Sequence, residues 1–207
     1  SVLKEKIDNL YLLKKLIIKE KNSVFLIGPG AGVNQLTKKR TKLILKNIKH
    51  VIIDADALTC FKKNPKELYA LLDKNKIITP HIKEFHTIFP KINKKKTNLE
   101  KIYEAIKIVK CNIVLKGFNT IICSYKGEIT INRHTSNELA VIGSGDVLSG
   151  IILSLIGKNK LNPYLASCAG VWIHGDIAKG FGKGLIAEDI VKGIPLTLKK
   201  LKKWKIY

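Results

Sequence analysis

Residues 141–157 read VIGSGDVLSGIILSLIG, a Gly-Ser-Gly-Asp turn that opens directly into an apolar run with helical spacing. Gly143 and Gly145 have no Cβ, so the backbone can approach a ligand closely, and the first amides of the following helix lack intrahelical acceptors. Free amides at the positive end of a helix dipole favour phosphate. Asp146 is the anomaly, because a carboxylate beside phosphate is repelled by it unless it has chemical work, and taking a proton from a hydroxyl or water would be such work. The same letters also suit a first-turn acid behind two turn glycines with no ligand at all. The rest of the chain weighs between the two.

Working outward, Val24 to Ile27 and Val51 to Ile53 are short apolar runs ending at Gly28 and Asp54, and both read as buried parallel strands. Gln35 to Lys46 between them is helical, which makes a strand, glycine turn, helix, strand unit of the right-handed crossover type. Lys76 to Thr79 gives a third strand stopped by Pro80, Leu99 to Lys110 an amphipathic helix, and Asn112 to Leu115 the strand it feeds. Ile121 to Ser124 and Glu128 to Asn132 flank Tyr125-Lys126-Gly127 as a hairpin. Leu3 to Lys19, Pro163 to Lys179 and Ala187 to Lys202 carry helical spacing. The alternation predicts an α/β fold, a mostly parallel sheet flanked by helices with an antiparallel hairpin near one edge. Ligands of such sheets bind at the carboxyl ends of the strands. Gly28 to Gly32, Asp54 with Asp56, His81 with Glu84, and Lys116 with Gly117 all fall there, which favours the ligand reading of the Gly143 turn.

Composition narrows the function. The 207 residues are 45% hydrophobic, enough to bury a core, and a single domain over 1–207 is expected. The longest apolar stretch, Val147 to Gly157, is too short for a bilayer, so a soluble, cytoplasmic protein without a membrane partner is expected. Cys60, Cys111, Cys123 and Cys168 lack disulfide or zinc spacing. The net charge of +22 attracts polyphosphates in general, yet only Arg40 and Arg133 are arginines, the side chain best suited to reading bases, so no specific nucleic acid is expected.

Each constellation has a functional and a structural reading. Gly28-Pro29-Gly30-Ala31-Gly32 permits close ligand approach or is a bare strand-to-helix turn. Of the two acids in DADAL, Asp54 suits the cleft and Asp56 a helix cap; magnesium would act through such carboxylates largely by way of water, and no protein metal ligand is assigned. His81, past the proline-terminated strand, could donate to a substrate carbonyl or amide, or be structural with Glu84 as an N-terminal helix acid. Lys116 and the backbone after it could face phosphate or solvent. His174 on the Pro163 helix reads as core packing.

Taken in order, GPGAG, DADAL, TPHxxEF, LKGxxT, GSGDVLSGII and GVWIHGDIA resemble the ADP-dependent NAD(P)H-hydrate dehydratases of the ribokinase-like superfamily, from about Val24 to the C-terminus. The resemblance implies a ribokinase-like fold and the repair of hydrated NADH or NADPH, by phosphorylation of the ring hydroxyl and loss of phosphate, with ADP or ATP and Mg2+. It implies that Gly30 and His81 contact the hydrated nucleotide, that Lys116, Gly117, Phe118, Asn119, Thr120 and Gly145 hold the adenine nucleotide, and that Asp146 sits at the reacting centre beside the substrate. Local physics adds the amides of Gly143, Ser144 and Gly145 as stabilisers of phosphoryl charge, Asp146 as proton acceptor, and Asp54 and Glu84 as supporting acids.

The chain departs from the family pattern in places. Val141 and Ile142 stand where the family's GNPGMATGGTGD carries a threonine and a glycine, and the bulk of Ile142 is expected to close the approach to the loop. PHPGE appears as PHIKE. The family's opening strand, glycine turn and helix have no counterpart, which predicts an N-terminal truncation, an exposed sheet edge, and a homo-oligomer or pairing with a separately encoded piece. Two alternatives stand beside the dehydratase: a small-molecule kinase of the same superfamily, and an inactive product or basic nucleotide-binding protein.

Overall fold

The computed structural model describes residue 7 and residues 9–203. Six strands form one sheet in sequential order: β1 (Val24–Ile27), β2 (His50–Ile53), β3 (Lys76–Ile78), β4 (Asn112–Leu115), β5 (Thr120–Cys123) and β6 (Ile129–Asn132). The first four pair in parallel, as the helix-linked runs require; β5 and β6 form the expected hairpin, and β4 pairs antiparallel with β5 in a second one.

Successive strand residues point to opposite faces, and that period divides the core. Val51, Ile53, Ile78, Ile113, Leu115, Ile121 and Cys123 face a layer built from α1 (Leu10–Lys19), α2 (Gln35–Asn47), α3 (Ala55–Thr59), α4 (Lys66–Tyr69), α5 (Ile82–Ile88) and α6 (Asn98–Ile108). Ile52, Ile77, Val114 and Ile122 face Leu148, Ile152, Ala166 and Val171 of α7 (Ser144–Gly157) and α8 (Pro163–Phe181). The last helix, α9 (Ala187–Lys203), closes a smaller cluster against α7 and α8. Leu3, at the head of the expected first helix, lies outside the described residues, as does the end of the lysine-rich tail.

One strand departs from expectation. The residues of β1 are all half-buried rather than buried, because among the described residues β1 pairs only with β2 and forms a sheet edge. Short α3 and α4, like the 3-10 turn Asn137–Leu139, carry too few residues for a periodic signal. No helix among the described residues is long and apolar enough to cross a membrane.

Candidate functional site

The carboxyl ends of β1 to β4 are tied together by their backbones. Asp54 N–H donates to the Ile27 carbonyl at 3.0 Å, and Lys116 N–H to the Pro80 carbonyl at 2.8 Å. Gly28 adopts φ +133°, and a Cβ there would lie 1.7 Å from the Asp54 carbonyl oxygen. Only glycine allows that approach.

Asp54 is wholly buried and accepts three hydrogen bonds. Ala55 N–H donates at 2.8 Å, the Lys116 ammonium at 2.6 Å and the Ser149 hydroxyl at 2.8 Å. A buried carboxylate needs such partners to remain charged. The assignment of the two DADAL acids is thereby corrected. Asp54 is both the N-cap of α3 and the acid facing the cleft, whereas Asp56 accepts from Gly32 N–H at 2.8 Å and closes the glycine turn. Which acid caps depends on backbone angle: Asp54 is extended, and Asp56 already lies inside the helix.

The second glycine turn is built otherwise. Gly143 is the N-cap of α7 at φ +84° and offers no side-chain cap. Among the described residues, neither Gly145 N–H nor Asp146 N–H meets an acceptor, whereas Val147 N–H reaches the Gly143 carbonyl at 3.1 Å. The two free donors lie at the positive end of a 14-residue helix. The Lys116 ammonium stands 3.4 Å from where a Cβ on Gly145 would be, adding positive charge at the same place. Ile142, whose bulk was expected to close the approach to the loop, is fully exposed.

Asp146 is exposed overall, yet its carboxyl is held above the ordinary range, first by partial desolvation and next by the Asp54 carboxylate, with Asp56 adding to the effect and Lys116 opposing it. Two acids around one ammonium push the more exposed one toward proton uptake. His81 caps α5: its Nδ1 accepts from Lys83 N–H at 3.1 Å and Glu84 N–H at 3.2 Å, and Glu84 accepts from His81 N–H at 2.8 Å. With Nδ1 accepting, the ring proton lies on Nε2, which stands 3.5 Å from Glu84 Oε1 on a half-exposed ring that a ligand can still reach. Glu84 is the helix acid expected of it.

A cavity of about 500 Å³ brings many of these groups together. His81, Lys116, Gly117, Phe118, Thr120, Ser144 and Gly145 line it. Asn119, Gly143 and Asp146 adjoin these in the chain without lining it, Asp54 stands behind Lys116, and Gly30 lies apart in the exposed first turn. Three features escaped the sequence reading. The loop from Asn132 to Val141 supplies much of the wall, Ser149 holds Asp54, and His174 lines the cavity and contacts Ser144. His174 is buried as expected, but it is hydrogen-bonded to the anion loop rather than merely packed. No sequence signal marks a pairing between residues 30 positions apart.

No group of three or more His, Cys, Asp or Glu residues among those described could hold a metal. Magnesium seldom needs one, because it keeps its waters and binds through one or two carboxylates and the phosphates of a substrate.

The sequence profile of the NAD(P)H-hydrate dehydratases matches residues 5–194. An ADP-dependent (S)-NAD(P)H-hydrate dehydratase from Neisseria meningitidis is 36% identical over 181 residues, 81% of this chain and 60% of the relative. Against bifunctional NAD(P)H-hydrate repair enzymes of Dictyoglomus turgidum and Escherichia coli, the chain spans only 38% and 33% of their length. A ribokinase-like superfamily protein from Enterococcus faecalis superposes with a TM-score of 0.76 at 24% identity, covering 91% of this chain and 68% of its own. The ADP/ATP-dependent NAD(P)H-hydrate dehydratase of Bacillus subtilis, co-crystallised with ATP and Mg2+, gives 0.70 at 24% identity over 88% of this chain and 68% of its own. These structures share the ribokinase-like fold with this chain.

Proposed function

Because this chain belongs to the NAD(P)H-hydrate dehydratase family, we propose that it removes water from hydrated NADH or NADPH at the expense of ADP or ATP. The observation that carries this reading is the meeting, beside one cavity, of the unpaired Gly145 and Asp146 amides and the Lys116 ammonium, with the Asp146 carboxyl, raised above its ordinary pKa, next to Gly145 in the chain. Amides and ammonium suit the terminal phosphate of the nucleotide, whose base and ribose would lie along Gly117 to Thr120. Gly30 and the Nε2–H of His81 would contact the hydrated nicotinamide nucleotide.

In the first step the ring hydroxyl oxygen bonds to the terminal phosphorus, the phosphorus–oxygen bond to the nucleotide breaks, and the hydroxyl proton passes to Asp146. In the second, the ring carbon–oxygen bond breaks, its electron pair leaves with phosphate, and the neighbouring carbon loses a proton to restore the reduced ring. The net change from ADP is AMP, phosphate and NAD(P)H. Mg2+, held by phosphates and water with Asp146 or Asp56 within reach, would neutralise phosphate charge.

The test is recovery of reduced-nicotinamide absorbance when folded protein is mixed with hydrated NADH, Mg2+ and ADP, and again with ATP. Nucleotide-dependent recovery is expected. A folded protein that gives no recovery overturns the reading, and a stable phosphorylated product would favour a superfamily kinase instead.

A further inference from the structure

We infer that His174 is a positioning residue for the anion loop, fixing through its Nε2–H the Ser144 peptide unit that carries the Gly145 N–H. His174 sits on α8, and its Nε2 lies 3.0 Å from both the carbonyl oxygen and the hydroxyl of Ser144. A carbonyl oxygen can only accept, so a contact of that length puts the ring proton on Nε2 and the lone pair on Nδ1.

The peptide plane converts this contact into an effect on the ligand site. The Ser144 carbonyl and the Gly145 N–H belong to one planar trans peptide and point in opposite directions. Holding the carbonyl toward His174 therefore aims the N–H away from it, and that N–H is one of the two without an acceptor. The loop needs such a brace. Gly143 gives it a left-handed N-cap with no side-chain bond, and a second glycine, Gly145, follows after Ser144. Burial, with the Lys116 charge nearby, lowers His174 to about 4, so the ring stays neutral at physiological pH and adds a directed donor rather than a second cation.

This inference rests on the reading of the loop as a phosphate site, and its test separates the two. His174→Gln places an amide N–H close to where Nε2 stands, whereas the shorter His174→Asn places its amide near the position of Nδ1. In both variants and the wild type, hydrogen exchange is measured at Val147 N–H, whose bond to Gly143 closes the first turn of α7, together with the dissociation constant for ADP in the presence of Mg2+. The Asn variant is expected to exchange faster at Val147 and to bind ADP about tenfold more weakly, as loss of one buried donor implies. The Gln variant should stay within about threefold of wild type in both, the difference one neutral hydrogen bond of altered geometry makes.

Identical exchange and affinity in all three proteins would overturn the inference. Equal loss in Gln and Asn would also overturn it, by showing that ring packing rather than the donor matters. If the wild type binds no adenine nucleotide, the proposed function fails, and the exchange data alone decide for or against His174.

Discussion

Two glycine turns lie on the side of the sheet where its parallel strands end, and they use glycine for different purposes. In the first, Gly28 brings two backbones into contact, Ala31 N–H donates to the Gly28 carbonyl, Asn34 N–H to the Gly32 carbonyl, and Gly32 N–H to Asp56. That turn spends the Ala31, Gly32 and Asn34 donors on itself and locks β1 to β2. In the second, Gly143 opens α7 without a cap, and the amides of Gly145 and Asp146 are left without acceptors. A glycine turn is therefore read as a ligand site from the fate of its donors, and glycine content alone does not decide it. Asp54 links the two, meeting the first through its backbone and, through its carboxylate, Ser149 of the helix that the second opens and the Lys116 ammonium beside Gly145.

The comparison is tested hardest at Asp146. Asp146→Asn keeps the shape of the second turn but cannot take the hydroxyl proton, so turnover of hydrated NADH should fall by about 10²–10⁴-fold while ADP affinity is retained. Unchanged turnover would remove Asp146 from the chemistry. The wild-type pH profile carries the same signature: the base form is required, and the folded carboxyl holds its proton to higher pH than a free one. The acidic limb of kcat/KM should thus lie above the ordinary carboxylate range, with activity rising as pH rises through it. Linkage gives the matching sign for stability. A carboxyl with a raised folded pKa weakens the fold above that pKa, so the Asn variant should be at least as stable as wild type at pH 7.

Gly28→Ala is expected to do the reverse. With a Cβ 1.7 Å from the Asp54 carbonyl and φ in the region that favours glycine, β1 must shift from β2, at a cost of about 3 kcal/mol or more in urea unfolding. A stable Gly28→Ala protein would show that the first turn can relax and is not the lock described above. Ser149→Ala comes next in size. It leaves a buried Asp54 oxygen without its hydroxyl donor, which should lower unfolding free energy by about 1–3 kcal/mol. Because Asp54 also anchors Lys116, ADP affinity should fall with it.

How much of this the sequence holds follows from the range of each interaction. The strands were legible because β2, β3, β4 and β5 are short apolar runs bounded by turn residues, and the capping role of Glu84 because it is set three positions from its partner. The half-exposure of β1 was not, since apolar letters do not tell a central strand from an edge. The cleft role of Asp54 was legible, but the cap fell to Asp54 rather than Asp56 because a single backbone angle decides which acid caps. Ile142 was expected to crowd the loop because its bulk is visible in the sequence, whereas its full exposure is not. Ser149 and His174 act across 95 and 30 positions, and only the fold brings them to Asp54 and Ser144.

Gly145→Ala makes the smallest change and divides the two turns most sharply. Gly145 has no positive φ, and an added Cβ would meet only the flexible end of Lys116, at 3.4 Å. Alanine in the first turn of α7 also restricts the unfolded chain, so stability should move by less than about 1 kcal/mol and in the favourable direction. The methyl nevertheless lies beside the free N–H and pushes against the ammonium that shares its anion. ADP affinity should therefore drop while the unfolding midpoint holds or rises. Alanine at Gly28 and at Gly145 would then fail in complementary assays, one in unfolding and the other in titration with ADP. If instead Gly145→Ala unfolds early and binds ADP normally, the second turn is a packing device like the first, and the phosphate must lie elsewhere in the cavity.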